Sequence, residues 1–194
     1  RHTEYRLNDC YDLEDMLFFS VEFDKIIKTE NFKSKKLFNL HFSLLPKYRG
    51  CHTNFFQLYN GERYCGVTLH EMDNSIDGGS IISQMKYKIR RNDTAQDNYI
   101  KLMKTAVKLF KSRIEDITYD NYKSKPQNEK LAGKYYDRDS ANYKELREFK
   151  IEKNDLETHN KLRALIFPAF QYPIVNGKEV KRSLYKNGKF ICEY

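Results

Sequence analysis

Between Ala95 and about Ile114 the apolar residues Tyr99, Leu102, Met103, Ala106, Leu109 and Phe110 recur at helical spacing. Asp93-Thr94 precedes them as a capping signal. A helix of this length has to bury that face against another element. The runs before it supply one. Residues 16–23 (Met-Leu-Phe-Phe-Ser-Val-Glu-Phe), Leu37–His41, Cys65–Met72 and Ser80–Met85 read as strands. In the third, Val67 and Leu69 alternate onto one side. Residues 24–35 read as a loop or short helix, and Pro46 marks the loop that ends the second strand. Thr53–Tyr59 reads as a helix closed by Asn60-Gly61. Strands and helices in this order predict an α/β core extending to about residue 120.

After residue 120 the character changes. Residues 123–128 form a polar linker, and 135–140 a polar-aromatic stretch. Leu156 to Ala164 has helical spacing. The prolines of Phe167-Pro168-Ala169-Phe170-Gln171-Tyr172-Pro173 forbid a helix there. Asn176-Gly177 and Asn187-Gly188 are hairpin turns between short strands at 174–175, 180–185 and 190–194. The expected division is a catalytic core over 1–120 and a smaller, β-hairpin-rich region over 121–194.

Hydrophobic residues make up 40% and charged residues 32% of the 194, the balance of a globular chain and not of a disordered one. No apolar run approaches the roughly 18 residues of a membrane span, and Arg1–Arg6 lacks the apolar stretch of a secretory signal. The four cysteines include no Cys-x-x-Cys pair, which argues against zinc and for reduced thiols in the cytoplasm. The net charge of +8 favours anionic partners. Spread along the chain, that charge also reads as ordinary solvated surface.

Chemistry concentrates in Asn39-Leu40-His41 and in Asp77, 36 residues after His41 in a glycine-bearing turn. Asn39 and His41, two apart at a strand end, share a face. An amide donor, a titratable ring and an acid suit the transfer of an acyl group onto an amine. Taken singly, a strand histidine and a turn aspartate are more often structural. The string Ser43-Leu44-Leu45-Pro46-Lys47-Tyr48-Arg49-Gly50 beside them changes that balance.

These strings resemble the folate-dependent formyltransferases, and most of all those that N-formylate nucleotide-linked amino sugars. The segments 61–70 and 73–82 resemble the family's glycine-valine-threonine-leucine-histidine stretch and its aspartate loop, and 19–27 its strand and loop beside the pterin pocket. The resemblance implies a Rossmann-like core with a parallel-rich sheet flanked by helices. It implies N10-formyltetrahydrofolate as donor and no metal. Asn39 would donate to an oxyanion. His41 would assist that oxyanion or take the amine proton, and Asp77 would hold the imidazole or relay a proton. Folate contacts carried over by position are Lys25, Ile26, Ile27, Asp73, Asn74, Ser75, Ile76 and Asp77. Members carry about half of a parallel sheet upstream of the Asn-x-His strand. Here 38 residues precede Asn39, so the core reads as a shortened form or as a chain entered partway.

Phe42, His52-Thr53 and the 117 residues after Asp77 resemble the sugar enzymes rather than the purine or initiator-tRNA ones. The implied acceptor is a dTDP-linked amino-dideoxy sugar used in surface polysaccharide (O-antigen) synthesis. The leaning is to the 4-amino-4,6-dideoxyglucose form, with the 3-amino isomer as the variant. Lys47, Arg49 and Arg163 are candidates for phosphate pairing, and Phe167, Phe170 and Tyr172 for stacking on the base. His52 and Thr53 lie beside the expected sugar pocket. Cys51 and His70 read as structural. A homodimer is expected, with no nucleic-acid or membrane partner. Two other readings compete: a methionyl-tRNA formyltransferase-like enzyme, and a non-catalytic protein that binds folate or nucleotide.

Overall fold

A computed structural model describes residues 6–23, 25–168 and 170–194. Asp24 and Ala169, which fall within strings quoted above, lie outside the described residues. The elements are β1 (Phe18–Val21), β2 (Leu37–His41), β3 (Arg49–Gly50), α1 (Thr53–Tyr59), β4 (Tyr64–Glu71), β5 (Ile81–Lys88), α2 (Ala95–Thr118), β6 (Tyr135–Tyr136), α3 (Tyr143–Leu146), α4 (Leu156–Ala164), β7 (Ile174–Val175), β8 (Lys178–Glu179), β9 (Arg182–Lys186) and β10 (Lys189–Glu193).

The main sheet runs β1-β2-β4-β5. It is a mixed sheet that contains the parallel pair of the expected core. β1 and β2 are parallel, joined by the long crossover such a pair requires; β2–β4 and β4–β5 are antiparallel. The α/β class holds, because α2 packs on β4 and β5. Leu102, Ala106 and Leu109 from α2 share one core with Phe38, Leu40, Val67 and Leu69. Fully burying each large side chain contributes about 1.5–3 kcal/mol. Met103 lies off this face and is exposed, as are Ile100 and Val107. Thr94 and Asp97 close a reciprocal capping box at the start of α2, worth about 1 kcal/mol.

Because β2 and β4 send Phe38, Leu40, Val67 and Leu69 toward this core, the alternate residues Asn39, His41 and His70 emerge on the other face. The chain after α2 returns to that side. There β6 pairs in parallel with β3, placing Tyr135 opposite Arg49 and Tyr136 opposite Gly50. Gly50 has φ +92, and a Cβ on it would meet the Tyr136 carbonyl oxygen at 2.0 Å, so only glycine fits this crossing.

α4 starts at an Asp155 cap and buries Leu162 in a second cluster with Ile166, Val175, Val180 and Phe190. The two hairpins of this region turn at Asn176-Gly177 and Asn187-Gly188, all four with positive φ, as two-residue turns of the favoured hand require. No helix among the described residues is long and apolar enough to cross a membrane.

Candidate active site

A cleft of about 1310 Å³ opens over the face that carries Asn39, His41 and His70. Asp77 reaches it from the loop between β4 and β5, in a left-handed conformation (φ 52). That loop is pulled tight at Gly79, where a Cβ would stand 1.9 Å from the Glu71 carbonyl oxygen. Gln127, from the linker after α2, donates to the carbonyl oxygens of both Asp77 (2.7 Å) and Gly79 (2.8 Å).

The Asp77 carboxylate is fully engaged. Oδ2 accepts the Gly50 N–H at 2.8 Å, and Oδ1 accepts from Asn39 Nδ2 at 3.1 Å. His41 Nδ1 lies 3.4 Å from Oδ1, and His70 Nε2 lies 3.7 Å away. Burial alone would raise the pKa of this acid. The pull of the neighbouring His41 and His70 rings and the Gly50 N–H outweigh it and hold the pKa at about 2. Asp77 is therefore an anion at neutral pH.

His41 Nε2 donates to the Tyr48 carbonyl oxygen at 2.7 Å, which leaves Nδ1 as the free nitrogen of the neutral ring, facing Asp77. Burial lowers the His41 pKa against the opposing pull of Asp77. The ring is thus a neutral proton acceptor whose protonated form meets a carboxylate at once. The loop that follows exists to hold this arrangement. Thr68 Oγ1 donates to the Ser43 carbonyl and accepts from Leu45 N–H, while Gln84 and Gln57 tie down the Leu45 and Phe42 carbonyls.

Asn39 and His70 are direct cross-strand partners. His70 Nδ1 donates to the Glu71 carbonyl at 2.7 Å, so Nε2 of the neutral ring accepts from Asn39 Nδ2 at 3.2 Å. Both amide hydrogens of Asn39 are committed, one to Asp77 and one to His70. The amide can serve an incoming oxygen by sharing or exchanging the His70 bond.

Of the residues singled out from sequence, the cleft is lined by Asn39, His41 and Asp77, by Lys25, Ile26 and Ile27, and by Asp73–Ile76. His52, Thr53, Phe167 and Phe170 line another part. Four expected substrate contacts stand elsewhere. Arg163 is 3% exposed on the inner face of α4, where its guanidinium donates to Asn160 Oδ1 and the Asp93 carbonyl, both at 2.9 Å. Burial lowers its pKa to about 10. Arg49 forms a two-bonded pair with Glu129 (2.6 and 3.0 Å) and also holds Gln127 at 2.7 Å, so it braces the aspartate loop from behind. Lys47 is exposed outside the cleft, beside Gly133. Tyr172 packs on the second core cluster under Lys181. These are corrections to the phosphate and stacking assignments. The reason is common to all four: charge and aromaticity in a sequence do not say which side of a loop or helix faces the cleft.

His70, Ser20, Glu22, Tyr99 and Arg138 line the cleft without having been singled out for it. The alternation of Val67 and Leu69 already turned His70 away from the core. The Asn39–His70 register then puts it in the site.

The cleft suits a folate. Ile26 is 76% exposed and, with Phe23 and Ile76, offers open apolar surface on the wall that also carries Asp73 and Ser75. Apolar walls with a few fixed polar groups are how flat heteroaromatic rings are held. No cluster of three or more metal-ligating side chains occurs among the described residues.

A sequence profile described as formyl transferase matches residues 14–114. Among solved structures, WlaRD, described as a sugar 3N-formyl transferase crystallised with dTDP and 5-N-formyl-THF, is 42% identical with a TM-score of 0.88, covering 94% of this chain and 66% of that one. An N-formyltransferase from Helicobacter canadensis, in complex with folinic acid and dTDP-3-aminofucose, is 40% identical with a TM-score of 0.89, covering 94% of this chain and 67% of the other. The bifunctional polymyxin resistance protein ArnA of Wigglesworthia glossinidia brevipalpis is 44% identical over 115 residues, 54% of this chain and 18% of that longer protein. The chain thus spans about two thirds of the solved relatives and under a fifth of that curated one.

Proposed function

Because the chain belongs to the formyl transferase family, we propose that it moves a formyl group from N10-formyltetrahydrofolate to the amine of a dTDP-linked amino-dideoxy sugar. The observation that carries this reading is the convergence of Asn39, His41 and Asp77 in one cleft, with Asp77 held by Gly50 and Asn39. When bound, the folate supplies a formyl group activated by its attachment to an aryl nitrogen. Ile26, Ile27 and Ile76 would hold its ring, with Asp73, Asn74 and Ser75 meeting its polar edge. Asn39 Nδ2 supplies an N–H for the oxygen that gains negative charge as the amine attacks, a contribution typically of about 10²–10³ in rate. His41 takes a proton at Nδ1, and Asp77 stabilises the imidazolium that results.

The sugar nucleotide would occupy the part lined by His52, Thr53, Phe167 and Phe170. Phe170 is 82% exposed, and its ring meets Phe167 edge-on at 5.0 Å, so its free face is open to a base. Arg138 and Lys25 are the lysine and arginine side chains lining the cleft among the described residues, and they replace Lys47, Arg49 and Arg163 as candidates for the anionic groups. The sequence leaned to a 4-amino sugar. The two solved relatives, a 3-N-formyltransferase and a complex with a 3-amino sugar, favour the amine at C3. A cytoplasmic homodimer feeding surface polysaccharide synthesis completes the proposal.

The test is turnover with N10-formyltetrahydrofolate and three acceptors: a dTDP-3-amino sugar, a dTDP-4-amino sugar and methionyl-tRNA. Formamide product is read by mass spectrometry. Product with the 3-amino sugar alone is expected. Formylation of methionyl-tRNA and of neither sugar would overturn the proposal.

A further inference from the structure

Glu22 is a carboxylate that the reaction outlined above does not use. It follows the end of β1, where Ser20 is paired with Asn39 and Val21 with Leu40, so the next step of the ladder brings Glu22 level with His41. Ser20, Glu22, Asn39 and His41 all line the cleft. The backbone at Glu22 is left-handed (φ 49), a conformation that costs a non-glycine residue on the order of 1 kcal/mol and that gathers at functional sites. Its surface is open to the cleft, yet protein surrounds it closely enough that desolvation raises its pKa to about 6. The other acids here are mostly spoken for. Asp77 is held by Gly50 and Asn39, Asp73 by Ser75, and Asp137 by Ser140. Asp139 lines the cleft from the 138–140 turn, far in the chain from β1 and β2. Glu22 has no hydrogen-bond or ion-pair partner among the described residues.

We propose that Glu22 is the acceptor-recognition residue of this site, binding the N–H groups of the sugar's amine. This rests on the amino-sugar reading given above. A carboxylate beside the His41 ladder with nothing to pair with is matched by a ligand that brings a cation or N–H donors, and the acceptor amine brings both. Charged, the amine is held by a charge-assisted hydrogen bond. Neutral, it donates an N–H to Glu22 and turns its lone pair to the opposite side. A sugar with a hydroxyl at that carbon gains less, so Glu22 discriminates amine from hydroxyl before any chemistry occurs.

The experiment measures binding of dTDP-3-aminofucose, dTDP-fucose and folinic acid by calorimetry, to the native chain and to Glu22→Gln and Glu22→Ala. The native chain is expected to prefer the amino sugar by about 10- to 100-fold, the range of a hydrogen bond to a charged group. Glu22→Ala loses that preference and Glu22→Gln retains part of it, while dTDP-fucose and folinic acid bind both variants as they bind the native chain. Folinic acid binding also reports that the variants are folded. An amine preference that survives in Glu22→Ala overturns this inference and leaves the proposed function standing. A native chain that binds folinic acid but neither dTDP-sugar overturns the acceptor assignment, and the inference with it.

Discussion

The side-chain amide of Gln127 donates to the carbonyl oxygen of Asp77 at 2.7 Å, joining a residue of the linker after α2 to the acid of the site. The same amide reaches the Gly79 carbonyl, and Arg49 holds the Gln127 carbonyl oxygen from the other side. Asp77 sits in a left-handed conformation that an aspartate adopts at some cost, so the loop needs this outside support. Gln127→Leu should lower kcat about 10- to 100-fold, the effect of misplacing a catalytic group by an ångström or so. KM for both substrates should stay within about threefold, since Gln127 does not line the cleft. Steady-state kinetics on the folded variant decide this.

The acid limb of the rate profile follows from His41. Its proton-accepting form is the neutral ring, and burial lowers its pKa below the ordinary histidine value of about 6.5. Protonation below that pKa removes the acceptor, so His41 should contribute an acid limb below about pH 6.5 and none above it. Asp77, held at about 2, remains ionised throughout and adds no second limb in this range. An acid limb below about pH 6.5 that is as steep in His41→Gln as in the native chain would contradict the assignment.

Arg163 separates sequence expectation from structure in a single variant. Its guanidinium satisfies the Asp93 carbonyl and Asn160 inside the protein. Arg163→Met should destabilise the fold by about 1–3 kcal/mol, the cost of buried acceptors left without donors. Binding of dTDP should be unchanged, as measured by calorimetry below the melting transition. A residue paired with the diphosphate would show the reverse.

Much of this architecture is legible in the sequence. β2, α1 and α4 have the bounds that apolar period and Asn60-Gly61 announce. The pair Asn39/His41 shares a face because a strand alternates. What escapes is the part made by distant polar contacts. The two-residue β3–β6 pairing and the Gln127 brace come from segments with no period of their own, and the inward turn of Arg163 depends on the Asp93 carbonyl, an acceptor far away in the chain. His70 is an intermediate case. Its face is readable from Val67 and Leu69, but its partner is not, because register with Asn39 is a property of two strands together.

The C-terminal region carries a pH-dependent contribution to stability. His159 on α4 is fully buried, bonded to Ser183 Oγ at 2.8 Å and to the Arg91 carbonyl at 2.9 Å, and burial lowers its pKa to about 4. The unfolded ring titrates near about 6.5, so between the two values the unfolded chain binds the extra proton. The contribution is complete above about pH 6.5 and is lost as pH falls toward 4, on the order of 2 kcal/mol. Urea titrations at pH 7.5 and pH 5 should show this loss in the native chain and a smaller one in His159→Gln.

Asn39, His41 and Asp77 together are proposed to carry the formyl transfer. The most direct test is the single-turnover rate of formamide formation from N10-formyltetrahydrofolate and dTDP-3-aminofucose, in the native chain and in His41→Gln. Product is expected with the native chain, with a rate lower by about 10²–10⁴ in the variant, the contribution of a positioned acid–base group. An unchanged rate in a folded His41→Gln protein would contradict it.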